Sequence, residues 1–151
     1  MVINFKLLSG TAQLPRKNCE TDAGIDFFAD ENYFLEGGEH HTFSTGVAWE
    51  PYFDAREDLL NNLFRPYMQL QGRSGLASKN GIAIMGGVID PSYRGEIKII
   101  LVNTSRYTTK INRGDKIAQG IVLLTPHVII KMTKEISDTE RGTNGFGSSG
   151  T

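Results

Sequence analysis

The 151-residue chain has 16 lysine and arginine residues against 17 aspartate and glutamate residues, a formal charge of −1 at pH 7. This balance gives no reason to expect stable binding to nucleic acid or to a membrane surface. The length predicts one domain with one core, and a single cysteine, Cys19, excludes a disulfide within the chain. Because no leader-like or membrane-spanning apolar segment is present, we expect a soluble intracellular protein of a reducing compartment.

Short runs with β-type alternation fill the first third of the chain. Residues 2–8 alternate polar and apolar side chains, and residues 33–35, 40–43 and 45–49 are short strands separated by glycines. This spacing predicts an all-β sandwich or barrel. His40 and His41 are adjacent on a strand, so they point to opposite faces and are predicted to be surface residues, not metal ligands.

Two carboxylates bracket a small-residue segment at residues 22–29. Asp22 and Asp26 are four residues apart, and Gly24 between them predicts close backbone packing. The carboxylates could serve a hard cation such as Mg²⁺ or could cap turns, and the spacing leaves both interpretations open.

The segment 51–66 interrupts the β pattern. Asp54 is a candidate N-cap, and Leu59, Leu60, Leu63 and Phe64 follow at helical spacing, which predicts a short helix near residues 55–64. A helix of this length needs a surface to pack on. That surface is either the body of the protein or a protein partner, and a third option is a lid at the active site.

A polar cluster at residues 72–79 follows a strand at residues 68–71. Arg73, Ser74 and Gly75 offer a guanidinium, a hydroxyl and approachable backbone amides, which suit a polyphosphate. A plain turn with a solvated arginine would have the same composition.

The densest cluster of signals lies at residues 86–96. Two apolar runs, 82–85 and 88–89, flank Gly86 and Gly87, and this pattern predicts a β-hairpin with positive φ at the turn. Asp90 follows the second run and Tyr93 comes three residues later. Asp90 is either the first residue of a type I turn or a general base on the rim of a pocket walled by Tyr93.

The last third continues the β pattern and then changes character. Residues 97–103, 108–111 and 116–124 are predicted strands, and Gln119 is either buried with partners or pointing into a site. From residue 137 the chain is polar and glycine-rich, which predicts a flexible arm. Arg141 and Phe146 in that arm could pair with anions and stack on a flat ring.

Five segments together resemble, in order and spacing, the motifs of the homotrimeric dUTP diphosphatases: residues 22–29, 72–77, 87–95, 113–121 and 141–150. The resemblance implies an all-β, jelly-roll-like trimer whose active sites draw on all three subunits. It also implies a β domain at residues 1–136 with an insertion at 51–66, and an arm at 137–151 that closes over the site. The implied reaction is Mg²⁺-dependent hydrolysis of dUTP to dUMP and pyrophosphate, which supplies dUMP and limits uracil incorporation into DNA.

The resemblance also assigns roles to residues. Asp90 would activate the attacking water, and Tyr93 would lie under the deoxyribose, leaving no room for a 2′-hydroxyl. Asp26 would bind Mg²⁺ through water. The uracil would contact the backbone of Ile84, Gly87, Val88 and Ile89. The phosphates would be held by Arg73, Ser74, Gly75 and Gln119. In the arm, Phe146 would stack on the uracil while Arg141, Ser148 and Ser149 bind the terminal phosphates.

Two departures from the family pattern stand out: Gly72, where many relatives have proline or serine, and the length of segment 51–66. The alternative functions are a dCTP deaminase-like enzyme, and a nucleotide sensor or partner-binding protein on the same fold.

Overall fold

The computed structural model describes residues 1–53 and 63–143. Eleven strands are assigned in these ranges: β1 (Val2–Leu7), β2 (Ile25–Phe28), β3 (Tyr33–Leu35), β4 (His40–Phe43), β5 (Val47–Tyr52), β6 (Phe64–Gln71), β7 (Ile82–Met85), β8 (Val88–Ile89), β9 (Ile99–Asn103), β10 (Thr109–Ile111) and β11 (Lys116–Pro126). A short helix, α1, spans Ser74–Asn80. The predicted all-β class is confirmed.

The strands form four antiparallel groups. A four-stranded sheet has the order β2-β11-β6-β8, and a three-stranded sheet has the order β4-β9-β7. Two further pairs are β1 with β5 and β3 with β10. The core between them is strongly apolar, and its largest fully buried side chains include Trp49, Phe27, Phe43, Leu35, Met68 and Ile117.

The predicted hairpin around Gly86 and Gly87 is wrong, although the turn itself is correct. Both glycines have positive φ, at 71° and 133°. The flanking strands nevertheless pair elsewhere, β7 with β9 and β8 with β6, so the turn carries the chain from one sheet to another. Local alternation cannot show this, because pairing partners are chosen by long-range packing.

Two predicted strands begin at other residues in the structure. The strand predicted to begin at Thr45 begins at Val47, because Gly46 has a φ of 65°, which lies outside the range of a strand. The strand predicted at residues 68–71 starts earlier, at Phe64, because β11 runs to Pro126 and pairs with the added residues.

The helix predicted near residues 55–64 lies mostly outside the described residues. Its predicted end at Phe64 is wrong, since Phe64 opens β6 and faces Pro126 of β11. Leu63, predicted to be buried, is 49% exposed.

The two histidines differ in environment. His40 is exposed, as predicted, but His41 stacks on Tyr33 with ring centroids 3.7 Å apart and lies 3.4 Å from a Glu31 carboxylate oxygen. The Tyr33 hydroxyl donates to Glu39. That bond lowers the pKa of Glu39 and raises the pKa of Tyr33 from their ordinary values.

Beyond β11, residues 127–143 are exposed and lie outside the strands. The division between a β domain ending at residue 136 and a following arm stays a prediction. No helix in the described ranges is long and apolar enough to cross a membrane.

Candidate active site

The sheet register assembles a first cleft at one end of the four-stranded sheet. Asp26 of β2 faces Gln119 of β11, and Gln119 faces Gln71, the last residue of β6. The chain leaves β6 there and turns through Gly72 to Arg73. Residues distant in sequence therefore meet across three strands, and the cleft they line has a volume of about 480 Å³.

Asp26 is the electrostatic centre of this cleft. Its side chain is almost fully buried, and its Oδ1 accepts a hydrogen bond from the Arg73 guanidinium. Its Oδ2 lies 2.8 Å from the Lys116 Nζ. One carboxylate is therefore shared by two cations beside an open cavity, and guanidinium and ammonium groups are the side chains that bind polyanions.

Sequence reasoning missed Lys116, because a strand register cannot be predicted from alternation alone. Lys116 and Gln119 are three residues apart, so in a regular strand their side chains would face opposite sides. The β2–β11 register shifts between Lys116 and Ala118, and both Lys116 and Gln119 line the cleft.

The two open questions about this region have clear outcomes. Asp22 caps a turn, with its Oδ2 accepting from the Cys19 amide at 2.9 Å, and it also lines the cleft. Gln119 has a partner, since its Nε2 donates to the Gly72 carbonyl at 3.1 Å, and it also lines the cleft. An added Cβ on Gly24 would lie 2.3 Å from the Gln119 Oε1, which confirms the close packing predicted at Gly24.

Arg73, Ser74 and Gly75 lie at the start of α1, where a polar cluster or plain turn was expected. Arg73 is the N-cap, and its carbonyl accepts from the Ala77 amide at 3.0 Å. Ser74 and Gly75 are exposed in the first turn, where amides lack intrahelical acceptors. Gly72 is not required by space, because a Cβ there would be 3.8 Å from the Ile84 side chain.

A second, smaller cleft of about 260 Å³ lies beyond β8 and is lined by Val88, Ile89, Asp90, Tyr93, Glu96 and Lys98. The Tyr93 amide donates to the Asp90 carbonyl at 3.1 Å, so Asp90 opens a turn as one of the two interpretations predicted. The Asp90 side chain is exposed on the rim, which leaves it accessible to a water and a substrate. The turn and the general base are therefore compatible.

The residues assigned to uracil lie around the Gly86–Gly87 turn. The Gly87 carbonyl accepts from the Leu70 amide at 2.7 Å, and an added Cβ on Gly87 would lie 2.9 Å from the Leu70 carbonyl oxygen. Val88 is exposed, whereas Ile84 and Ile89 are half-buried against the core. Arg141 is exposed; Phe146, Ser148 and Ser149 lie outside the described residues.

Comparison with known proteins identifies the family. A sequence model described as dUTPase matches residues 11–150. The deoxyuridine 5'-triphosphate nucleotidohydrolase of Nautilia profundicola is 36% identical and that of Clostridium tetani is 37% identical, with coverage of 99% and 98% of this chain and 99% and 96% of theirs. The chain belongs to the dUTPase family.

Solved dUTPases share the fold. The dUTPase of Staphylococcus bacteriophage 80alpha with dUPNHPP is 30% identical, with 99% of each chain covered and a TM-score of 0.84. A point mutant of the dUTPase from phage phi11 of S. aureus, whose structure reveals the coordination of a structural Mg(II) ion, is 27% identical with a TM-score of 0.76. That match covers 89% of this chain and 98% of the phage chain.

The two clefts are well separated within one chain. Asp90 follows Ile89, which pairs with Met68, whereas Asp26 is aligned with Gln71 on the far side of β11. Four residue positions along the sheet and three strand spacings across it place the Cα atoms of Asp26 and Asp90 roughly 20 Å apart.

Proposed function

We propose that this chain hydrolyses dUTP to dUMP and pyrophosphate, with the first cleft holding the phosphates and Asp90 activating water. The observation that carries the proposal is the cleft in which Arg73 and Lys116 share the single Asp26 carboxylate, in a chain of the dUTPase family. Hydrolysis of a phosphoanhydride needs positive charge on the leaving pyrophosphate, a positioned water and a base.

The phosphate chain would lie across Arg73, the first turn of α1 and Gln119. Arg73 can offer the free part of its guanidinium, while Ser74 and Gly75 supply a hydroxyl and backbone amides. Gln119 already has its amide nitrogen bound to Gly72. That bond fixes the direction of its side chain in the cleft. Arg141, Ser148 and Ser149 would complete the grip on the terminal phosphates.

Mg²⁺ fits this site as an ion carried by the triphosphate. In residues 1–53 and 63–143 no three histidine, cysteine, aspartate or glutamate side chains are grouped to hold a metal. Both Asp26 oxygens already accept from cations, so Asp26 would hold the hydrated ion through water. Mg²⁺ would disperse the charge on the phosphates.

The base and nucleoside would occupy the second cleft. Asp90 would accept the proton of the attacking water, and the Tyr93 ring would lie under the deoxyribose. Backbone groups of Ile84, Gly87, Val88 and Ile89 would bind the uracil edge, and Phe146 would stack on its face. The close approach of Gly87 to Leu70 fixes the position of this turn on β6.

The separation of the clefts supports a homotrimer with shared sites. A triphosphate cannot span two residues whose Cα atoms lie roughly 20 Å apart while keeping its α-phosphate at Asp90 and its other phosphates at Asp26. In the trimer, the first cleft of a second chain would lie beside Asp90 of the first chain.

If sites are shared in this way, mixing refolded Asp26→Asn and Asp90→Asn chains in equal amounts should restore activity in about a quarter of the sites. No recovery would contradict site sharing.

The main experiment measures pyrophosphate release from dUTP, UTP, dTTP and dCTP, with Mg²⁺ and with EDTA. We expect rapid turnover of dUTP that depends on Mg²⁺, with the other nucleotides disfavoured. Asp90→Asn should keep dUTP binding and lose about 10²–10⁴-fold in kcat. Glu36→Gln, an exposed carboxylate away from both clefts, is the matched control.

Failure to hydrolyse dUTP would refute the proposal. Ammonia release from dCTP would favour the deaminase alternative, and tight dUTP binding without turnover would favour a sensor.

A further inference from the structure

The Tyr93 ring is locked in place by the two residues that follow Arg94. Its hydroxyl donates to the Glu96 carbonyl at 3.0 Å. Its ring lies directly over Gly95, where an added Cβ would come within 2.4 Å of the Tyr93 oxygen and 2.6 Å of its Cζ. The position of the ring therefore depends on where the backbone of Gly95 and Glu96 is held.

The Glu96 side chain is itself held by Thr45 and Gly46, which precede β5. Its Oε1 accepts from the Thr45 amide at 3.1 Å and from the Gly46 amide at 2.8 Å. Around this contact the Thr45 hydroxyl donates to the Ile97 carbonyl at 2.5 Å, and the Ile97 amide donates to the Val47 carbonyl at 2.7 Å. Two amides donating to one ionised oxygen form a strong, directional contact.

This chain of contacts joins the second cleft to a distant segment. Thr45 is buried, and Gly46 is restricted because an added Cβ would meet Ala12 at 2.6 Å and Asp30 at 2.9 Å. The Thr45–Gly46 segment is therefore closely packed and fixed in position. Glu96 transmits its position to Tyr93, and Glu96 and Tyr93 line the same cleft.

We propose that Glu96 is a positioning residue for sugar selection, which fixes the Tyr93 ring so tightly that a ribose 2′-hydroxyl is excluded. This inference rests on the proposed function, in which Tyr93 lies under the deoxyribose. A ring that could retreat by about 1 Å would accept the hydroxyl, so selection requires that the ring be held and not merely present. The Glu96 carboxylate performs this role by holding the backbone that carries the Tyr93 ring.

The test compares kcat/KM for UTP with kcat/KM for dUTP in the full-length protein. Glu96→Ala should raise the UTP to dUTP ratio about tenfold or more. Glu96→Gln keeps an oxygen that accepts from both amides, so its ratio should stay within about threefold of the wild type. Glu50→Ala is the matched control, because Glu50 lies on β5 and its carboxylate pairs with Arg94 at 3.3 Å.

An unchanged ratio in folded Glu96→Ala would overturn the inference, as would a shift in Glu96→Gln as large as in the alanine variant. If Glu96→Ala does not fold, the UTP to dUTP ratio of Tyr93→Phe tests the inference. This substitution removes only the hydroxyl that donates to the Glu96 carbonyl. A wild-type ratio in Tyr93→Phe would then overturn the inference. Wild-type protein that fails to turn over dUTP refutes the proposed function itself, which separates the two failures.

Discussion

Replacing Asp26 by asparagine should destabilise the protein by an amount that its surroundings set. The substitution keeps the shape of the side chain but leaves the Arg73 and Lys116 cations facing a neutral group. Removing one partner from a fully buried ion pair costs about 3–5 kcal/mol. Here the side chains of Arg73 and Lys116 are 30% and 34% exposed, so water solvates the two unpaired cations and the loss of stability is smaller. We expect a loss of about 1–3 kcal/mol, which for a chain of this size lowers Tm by roughly 5 °C.

Thermal unfolding followed by circular dichroism measures this loss, at a fixed protein concentration because assembly would shift Tm. Asp22→Asn is the control, since Asp22 lines the same cleft but caps a turn through the Cys19 amide. The double variant Asp26→Asn with Lys116→Met should recover part of the stability, because it also removes an unbalanced cation. Equal Tm values for Asp26→Asn and Asp22→Asn would refute the reasoning.

Three further predictions concern the arm, the base and a hydrogen bond far from the site. Removing residues 140–151 should leave Tm nearly unchanged, since residues 140–143 are exposed, but should abolish dUTP turnover; full activity would make the arm a linker. If the backbone around the Gly86–Gly87 turn binds the uracil edge as proposed, the 5-methyl group should lower kcat/KM for dTTP about 10–200-fold relative to dUTP, and equal values would contradict a tight base pocket. Tyr33→Phe should lower Tm at neutral pH. The stabilisation from Glu39, whose pKa is lowered, is present above its ordinary value of 4.5 and is lost as pH falls through the folded pKa. The stabilisation from Tyr33, whose pKa is raised, is present below 10.0 and is lost as pH rises through the folded pKa. The Tm difference between wild type and Tyr33→Phe should therefore shrink at both ends of the pH range, and a constant difference would contradict this account.

The fold class could be predicted because its signals are local. Alternation and glycine spacing place strands at Tyr33–Leu35 and His40–Phe43 with the bounds that the structure has. The helix α1 could not be predicted in this way, since its seven residues contain no buried side chain and therefore no apolar stripe. The pairing of β7 with β9 could not be predicted from the sequence either, because strand partners depend on contacts between residues far apart in sequence.

The site shows the same division between residue type and placement. Asp26, Arg73 and Gln119 were each singled out by chemical type, and the structure brings them into one cleft. Their roles in binding phosphate and Mg²⁺ remain predictions. Lys116 was not singled out, because its orientation depends on the irregular register next to Ala118. Residue types are thus readable from the sequence, whereas the side that a residue faces depends on the register of the assembled sheet.

The charges around Asp26 also argue that this cleft is built for a ligand. A buried ion pair contributes little net stability compared with apolar residues of the same volume, so stability alone does not account for placing Arg73 and Lys116 around one carboxylate. In the absence of an anion, Asp26 holds both cations in fixed positions. The two cations are then already placed at the cavity when a polyphosphate arrives, and little reorganisation is needed to bind it. Asp26 therefore contributes most by preorganising the phosphate site, and its replacement should weaken nucleotide binding even in variants whose stability has been restored.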